Sequence, residues 1–123
     1  MEVACDPGAP AAVRESLRRI GGLGPSRGDA MLVASELVTN ALLQAGSDLN
    51  GRLSISVSRG AGTITVAVLD PDAPAQPAPA NVPIDAGSGG LGLLIVGRLA
   101  RRWGSQREPG YRVWAELPCA EAR

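Results

Sequence analysis

The chain has 123 residues and a formal net charge of zero, because twelve acidic side chains balance twelve cations, all of which are arginine. It contains no lysine, histidine or phenylalanine. These absences exclude a P-loop phosphate lysine, Schiff-base chemistry, histidine-dependent nucleophilic triads and histidine-ligated zinc. The chemistry open to this protein is that of carboxylates, amides, hydroxyls, arginines and the backbone.

The composition predicts a single globular domain spanning residues 1–123. Hydrophobic residues make up 45% of the chain and charged residues 20%, which is ordinary for such a domain. The balanced charge and the three aromatic side chains argue against direct nucleic-acid binding. No apolar stretch approaches the ~20 residues of a membrane span, and the first ten residues do not resemble a signal peptide. We therefore expect a cytoplasmic protein in which Cys5 and Cys119 are reduced thiols.

The first elements in chain order are two helices. Residues 10–20 predict a short helix with proline in its first turn and a glycine pair at its end. Residues 28–45 predict a longer helix that Ser26 can cap and Gly46 ends.

Two strands and a long loop are predicted next. Apolar residues, mostly β-branched, alternate with Ser and Thr over residues 53–58 and 63–68, and a glycine-rich turn joins the two runs as a hairpin. Five of the ten prolines then fall within residues 71–89, which predicts a long extended loop.

The carboxyl-terminal part predicts a third helix and a second hairpin. The helix spans about residues 91–102, and Gly104 is expected to close it. Residues 105–107 and 111–117 form the hairpin strands. The order α-α-β-β-loop-α-β-β predicts an α+β two-layer sandwich, in which helices cover one face of a mixed, mostly antiparallel sheet.

Glu36 and Asn40 are the first candidates for chemistry. They lie four residues apart on the second helix, so they project from nearly the same face, one turn apart. A helical wheel places them opposite the core arc, beside Val33 and two leucines. Taken alone, the pair fits an exposed polar pair. The functional alternative is a Mg²⁺ held by the Asn40 carbonyl, with Glu36 polarising a nucleophile beside it.

Two further features allow both a structural and a functional interpretation. Asp70 ends a strand at a proline, which is ordinary turn chemistry, but a carboxylate there could also accept a hydrogen bond from an exocyclic amine such as that of adenine. Glycines at positions 87, 89 and 92 formally match GxGxxG, although no strand precedes them. They suit either a phosphate-binding helix start or a hinge without a ligand.

Three segments in fixed order resemble the histidine-kinase-like ATPase (Bergerat-type) family. They are S-E-L-V-T-N-A at residues 35–41, V-x-V-x-D at residues 66–70, and G-L-G-L-x-I-V-x-x-L-A-x-x-W-G at residues 90–104, with R-V-W-A-E-L following. The resemblance covers about residues 11–117. Within the family, the small anti-sigma-factor serine/threonine kinases and their single-domain actinobacterial relatives are most similar.

The resemblance implies a site for ATP and Mg²⁺. Asn40 would coordinate Mg²⁺ on the nucleotide phosphates, and Glu36 would be the general base. Asp70 would bind the adenine amino group. Residues 71–89 would form the nucleotide lid.

The same correspondence brings four more positions into the nucleotide site. Gly90 and Gly92 would open the phosphate-binding helix. Leu91, between them, stands where this branch often has arginine, and Gln44 stands where the family commonly has histidine. A Pro-Asp pair also replaces glycines after the adenine aspartate. Nucleotide binding therefore has more support from the residues than phosphotransfer.

The regulatory branch of the family also implies partners. Such domains bind a sigma factor, phosphorylate a serine or threonine of an anti-anti-sigma (STAS-type) protein with Mg-ATP, and are usually homodimers. An alternative is a nucleotide-sensing module that sequesters a protein partner with little or no catalysis. A detached sensor-kinase catalytic domain is a third interpretation, and it has no phosphoacceptor histidine within this chain.

Overall fold

The computed structural model describes residues 1–45, 51–71, 90–106 and 110–119. In this part of the chain no helix is both long enough and apolar enough to cross a membrane. The elements in chain order are β1 Glu2–Ala4, α1 Ala9–Arg18, a 3-10 turn Gly24–Ser26, α2 Arg27–Ala45, β2 Arg52–Gly60, β3 Thr63–Asp70, α3 Gly90–Leu99, β4 Arg102–Gln106 and β5 Tyr111–Pro118.

The five strands form one antiparallel sheet in the order β1-β2-β3-β5-β4. Alternate residues of β3 and β5 are buried against the helices, whereas most residues between them are only partly buried. This burial pattern follows from the two-residue period of a strand, which places successive side chains on opposite faces. The predicted α+β two-layer architecture is confirmed.

Helix α2 lies against α1, α3 and the sheet, so it is buried on more than one side. Its fully buried residues include Val33, which the helical wheel placed outside the core. That prediction was wrong because the wheel assumed a single packed face. Met31 and Leu42, which the wheel assigned to the core, are only partly buried.

The third helix is shorter than predicted. It ends at Leu99, and the backbone N–H of Arg101 already donates to the Glu116 carbonyl of β5 at 2.7 Å. Gly104 does not close the helix, since it lies within β4. A Cβ there would sit 3.0 Å from the Trp114 ring. The glycine thus makes room for an indole on the neighbouring strand.

Strand β1 was not predicted. It has three residues and pairs with Arg52, Leu53 and Ser54 at the start of β2. So short a segment shows no periodic pattern, and only its pairing with β2 makes it a strand. The two cysteines are buried and are not joined in a disulfide.

Candidate functional site

Helix α2 presents Glu36 and Asn40 one turn apart, with different degrees of burial. Asn40 is buried, with 9% of its surface exposed, and Glu36 is half-buried. Nearby hydroxyls bond within the helix, since Ser35 Oγ donates to the Leu32 carbonyl at 2.9 Å and Thr39 Oγ1 to the Ser35 carbonyl at 2.9 Å. The interpretation as an exposed polar pair is therefore wrong for Asn40.

The Asn40 side chain is held by a tyrosine of the sheet. Its Nδ2 donates a hydrogen bond to the Tyr111 hydroxyl at 2.5 Å, and Tyr111 is only 5% exposed. Because Nδ2 is the donor in this bond, Oδ1 is the amide atom that can accept a hydrogen bond or ligate a cation. In this arrangement the amide nitrogen faces the tyrosine, and the carbonyl oxygen is the end that is left to accept.

Asp70 is the last residue of β3 and lies next to Tyr111 in the sheet. It is 3% exposed, and its Cα lies opposite that of Tyr111 in the β3–β5 ladder. Residues directly opposite one another in an antiparallel pair project to the same face of the sheet. Asp70 and Tyr111 thus share the helix-covered face, where Asn40 meets the tyrosine. The structure thereby groups two predicted site residues, one from α2 and one from a strand end.

The turn before β5 packs closely on the backbone of Asp70. Gly110 has a φ of 70°, in the left-handed region that glycine tolerates. A Cβ at this position would overlap the Asp70 carbonyl oxygen and would also press on Pro71. Glycine is therefore required here, and the close approach supports the end of β3 that carries the carboxylate.

Glu36 is suited to accept a proton. Among the residues that the structure describes, its carboxylate has no hydrogen-bond or ion-pair partner. It is half-buried and lies one helical turn before Asn40, so the two side chains project from nearly the same face of α2. A half-buried carboxylate can take a proton from a hydroxyl group brought next to it.

The remaining predicted positions are only partly covered by the description. Gly90 and Gly92 lie in the first turn of α3 as described, and α3 packs on α2. The side chains of Leu91 and Gln44 lie outside what the structure describes, and so do residues 72–89 of the predicted lid. The roles of these positions stay predictions.

Tyr111 is the site residue that the sequence analysis does not identify, because it stands out there only as part of the strand 111–117. The signal for it was present in the alternation of β5, where Tyr111, Val113, Ala115 and Leu117 all point inward. An inward tyrosine needs a hydrogen-bond partner for its hydroxyl. A search of the facing helix for polar residues would have led to Asn40.

The fold is an α+β sandwich in which a buried amide of a helix bonds to a tyrosine, and the residue opposite that tyrosine on the neighbouring strand carries a buried carboxylate. A family model described as the histidine kinase-like ATPase domain matches residues 6–115. The chain therefore belongs to the histidine kinase-like ATPase family, a family of ATP-binding domains, as the sequence motifs indicated.

Solved structures show the same fold. Thirteen chains match, among them the histidine kinase domain from the Erythrobacter litoralis EL346 blue-light activated histidine kinase. That domain is 23% identical to this chain with a TM-score of 0.62, and the match covers 95% of this chain and 62% of that domain. This chain thus spans less than two thirds of its neighbour's length. A comparison with curated proteins found no match.

Proposed function

We propose that this domain binds Mg-ATP and transfers the γ-phosphate to a serine or threonine of a partner protein, as anti-sigma-factor kinases do. The observation that carries the proposal is the buried hydrogen bond from Asn40 to Tyr111 beside the buried Asp70 carboxylate. An amide oxygen suits a Mg²⁺ ion that comes with nucleotide phosphates, and a carboxylate suits a base that presents a hydrogen-bond donor.

Asn40 fits the needs of a magnesium ion that comes with a nucleotide. Mg²⁺ prefers oxygen ligands, retains several waters and is commonly held by one or two protein groups together with substrate phosphates. With Nδ2 engaged by Tyr111, the Asn40 carbonyl is the natural protein ligand. When bound, the ion would neutralise the charge that develops on the phosphates.

Asp70 fits the recognition of the base. An ionised carboxylate only accepts hydrogen bonds, so it selects a base that presents a donor, such as the amino group of adenine. Burial to 3% exposure strengthens this selection, because a base without a donor would leave the carboxylate without that bond.

Glu36 would accept the proton of the attacking hydroxyl. Phosphoryl transfer depends mainly on positioning and on charge neutralisation, so one carboxylate on a rigid helix is sufficient protein machinery. Gly90 and Gly92 would let backbone N–H groups of α3 approach the phosphates, where the helix dipole also favours an anion. Leu91 and Gln44 would lie in the same nucleotide site.

We further propose a sigma factor and an anti-anti-sigma protein of the STAS type as partners, and a homodimer as the assembled form. The S-E-L-V-T-N-A segment and the glycine segment at residues 90–104 support this branch of the family. Gln44 and Leu91 favour a second candidate, a domain that senses the nucleotide and sequesters its partner without phosphate transfer.

Nucleotide binding is tested by thermal unfolding with ATP or ADP, in the presence of Mg²⁺ or of EDTA. At a ligand concentration of about 100 times Kd, binding stabilises the folded state by about 2.7 kcal/mol. The Asn40→Ala variant should lose the Mg²⁺-dependent part of this stabilisation, whereas Thr39→Ala on the same helix should keep it. The absence of any shift in the unaltered protein at millimolar nucleotide would overturn both candidate functions.

Phosphate transfer is tested with γ-labelled ATP and a partner that co-purifies with the protein and is identified by mass spectrometry. Glu36→Gln should abolish labelling and leave nucleotide binding intact. Asp29→Asn serves as the control, because it neutralises an exposed carboxylate in the first turn of the same helix. Equal labelling rates in Glu36→Gln and the unaltered protein would refute the assignment of the base. No labelling in any variant, with binding retained, would select the sequestering module.

A further inference from the structure

The outer edge of β2 is covered only over its first residues. Strand β1 pairs with residues 52–54, and Met1 and Ile55 exchange two backbone hydrogen bonds, each 2.8 Å long. Beyond Ile55, β2 continues to Gly60, and among the described residues it pairs there with β3 alone, on its other side. Within this part of the chain, the second half of the strand is therefore an open sheet edge.

The backbone groups that face this edge follow from the ladder. In an antiparallel pair, residues that exchange both hydrogen bonds recur at every second position. Since Ile55 is such a residue on the β1 side, Val57 and Arg59 point their N–H and C=O groups toward the same side. These four groups make no backbone hydrogen bond to a described residue outside the sheet. They form a template for a further strand.

A groove runs beside this open edge. It has a volume of about 410 Å³ and lies between β2 and the end of α1. Its apolar lining includes Leu17 and Ile20 from the end of α1 and Ile55 and Val57 from β2. Polar edge strands are commonly protected from pairing by charge alone. An apolar groove next to free backbone groups is what an added strand needs for its inward side chains.

Arg59 supplies a charge on the open edge, two residues beyond the groove residue Val57. It lies two residues after Val57, so its side chain projects to the same face of β2. Its Nη1 is 3.5 Å from the position that a Cβ on Gly22 would take, so the side chain reaches across to the turn after α1. Among the described residues no carboxylate pairs with it. The open edge therefore presents a groove with apolar side chains beside Ile55 and Val57, and a cation beyond it.

We propose that the β2 edge and this groove bind an extended segment of a partner protein, in which an acidic residue is followed two positions later by a large apolar residue. A segment that pairs antiparallel with β2, as β1 does, places these two residues opposite Arg59 and Val57. The acid then meets the guanidinium, and the apolar side chain enters the groove. The segment leaves the sheet after its apolar residue, because Met1 already pairs with Ile55.

This edge is formed by residues 56–60 and involves none of the residues proposed to hold the nucleotide. The interaction therefore does not require that the proposed kinase function be correct. Binding of the segment is expected with or without ATP, so the two proposals can fail independently.

The probe is the capped peptide acetyl-Ser-Glu-Thr-Leu-Thr-amide, titrated into ¹⁵N-labelled protein and followed by NMR. New hydrogen bonds at the edge should shift the amide protons of Val57 and Arg59 downfield, while amides of β4 at the opposite edge stay unchanged. No shift at Val57 and Arg59 with several millimolar peptide overturns the proposal. Concentration-dependent shifts at the same amides without peptide also overturn it, since the edge would then pair with a second copy of the chain.

Charge reversal tests the orientation of the segment. Arg59→Glu should weaken binding about tenfold, and a peptide with Lys in place of Glu should recover it on this variant. Arg101→Glu makes the same charge change at an exposed position before β4 and should have no effect. Ile20→Ser should weaken binding through the loss of apolar contact. This variant tests the groove separately from the charge interaction with Arg59. Equal affinities for the two peptides on the unaltered protein would refute the pairing with Arg59.

Discussion

Removal of a single oxygen atom by the substitution Tyr111→Phe tests the central contact of the site. The hydroxyl accepts the hydrogen bond of Asn40 Nδ2, and both residues are at most 9% exposed. Loss of a hydrogen bond costs about 0.5–1.5 kcal/mol, and a buried donor left without a partner costs about 1–3 kcal/mol. We expect the free energy of unfolding to fall by about 2 kcal/mol. The melting temperature should then fall by about 8–10 °C in a domain of this size.

The same substitution should separate magnesium binding from nucleotide binding. Without the tyrosine hydroxyl, the Asn40 amide is free to turn, and its carbonyl no longer points reliably to the metal side. The affinity for Mg-ATP should fall about tenfold, which corresponds to about 1.4 kcal/mol. The affinity for ATP measured in EDTA should change less than about twofold, because the proposed contact to the base comes from Asp70 and not from Asn40.

Isothermal titration calorimetry with and without Mg²⁺ measures both affinities directly. Trp114→Phe is the matched control, since Trp114 lies on the opposite face of the same strand and packs over Gly104. It should lower stability without altering the ratio of the two affinities. The reasoning is refuted if Tyr111→Phe keeps the full magnesium dependence, or if both affinities fall by the same factor.

Two further pairs of substitutions test the support of the site and the core. Gly110→Ala should cost more than about 2 kcal/mol and weaken ATP binding, because its Cβ would strike the Asp70 carbonyl. Gly62→Ala has a similar φ of 71° with open space around it, so chemical denaturation should show a loss of only about 1 kcal/mol. Leu37→Ala, at a fully buried position, should cost about 3 kcal/mol, whereas Leu32→Ala on the same helix, 39% exposed, should cost less than about 0.5 kcal/mol. Equal losses for the two glycine variants would contradict the close approach at the turn before β5. Equal losses for the two leucine variants would contradict the burial described for α2.

The predictable part of the fold consisted of elements with strong local patterns. The alternation in β2 and β3, the glycine at their turn and the proline in the first turn of α1 depend on neighbouring residues only, and the structure confirms them. Strand β1 and the start of β4 depend on pairing with a distant strand, and both were missed. A three-residue segment has too little local preference to reveal what it pairs with.

The candidate site divides in the same way. The chain itself shows polar residues at unusual positions, namely Glu36, Asn40 and Asp70. It also shows that no mechanism of this protein can use lysine or histidine. The burial of Asn40 was not apparent from the chain. A helical wheel assumes one packed face, whereas α2 packs on several sides. Burial and the bond to Tyr111 turn Asn40 from a surface amide into one that is held in place.

The sequence by itself determined the chemical repertoire and the spacing of Glu36 and Asn40, since composition and a helical period require no knowledge of distant contacts. Only the tertiary structure decided that Asn40 bonds to Tyr111 and that Asp70 lies opposite this tyrosine, which requires β3 and β5 to pair in one register and α2 to pack on them. A one-residue shift of that register would turn the tyrosine to the other face of the sheet. The site therefore depends on long-range strand pairing, which no single segment of the chain determines by itself.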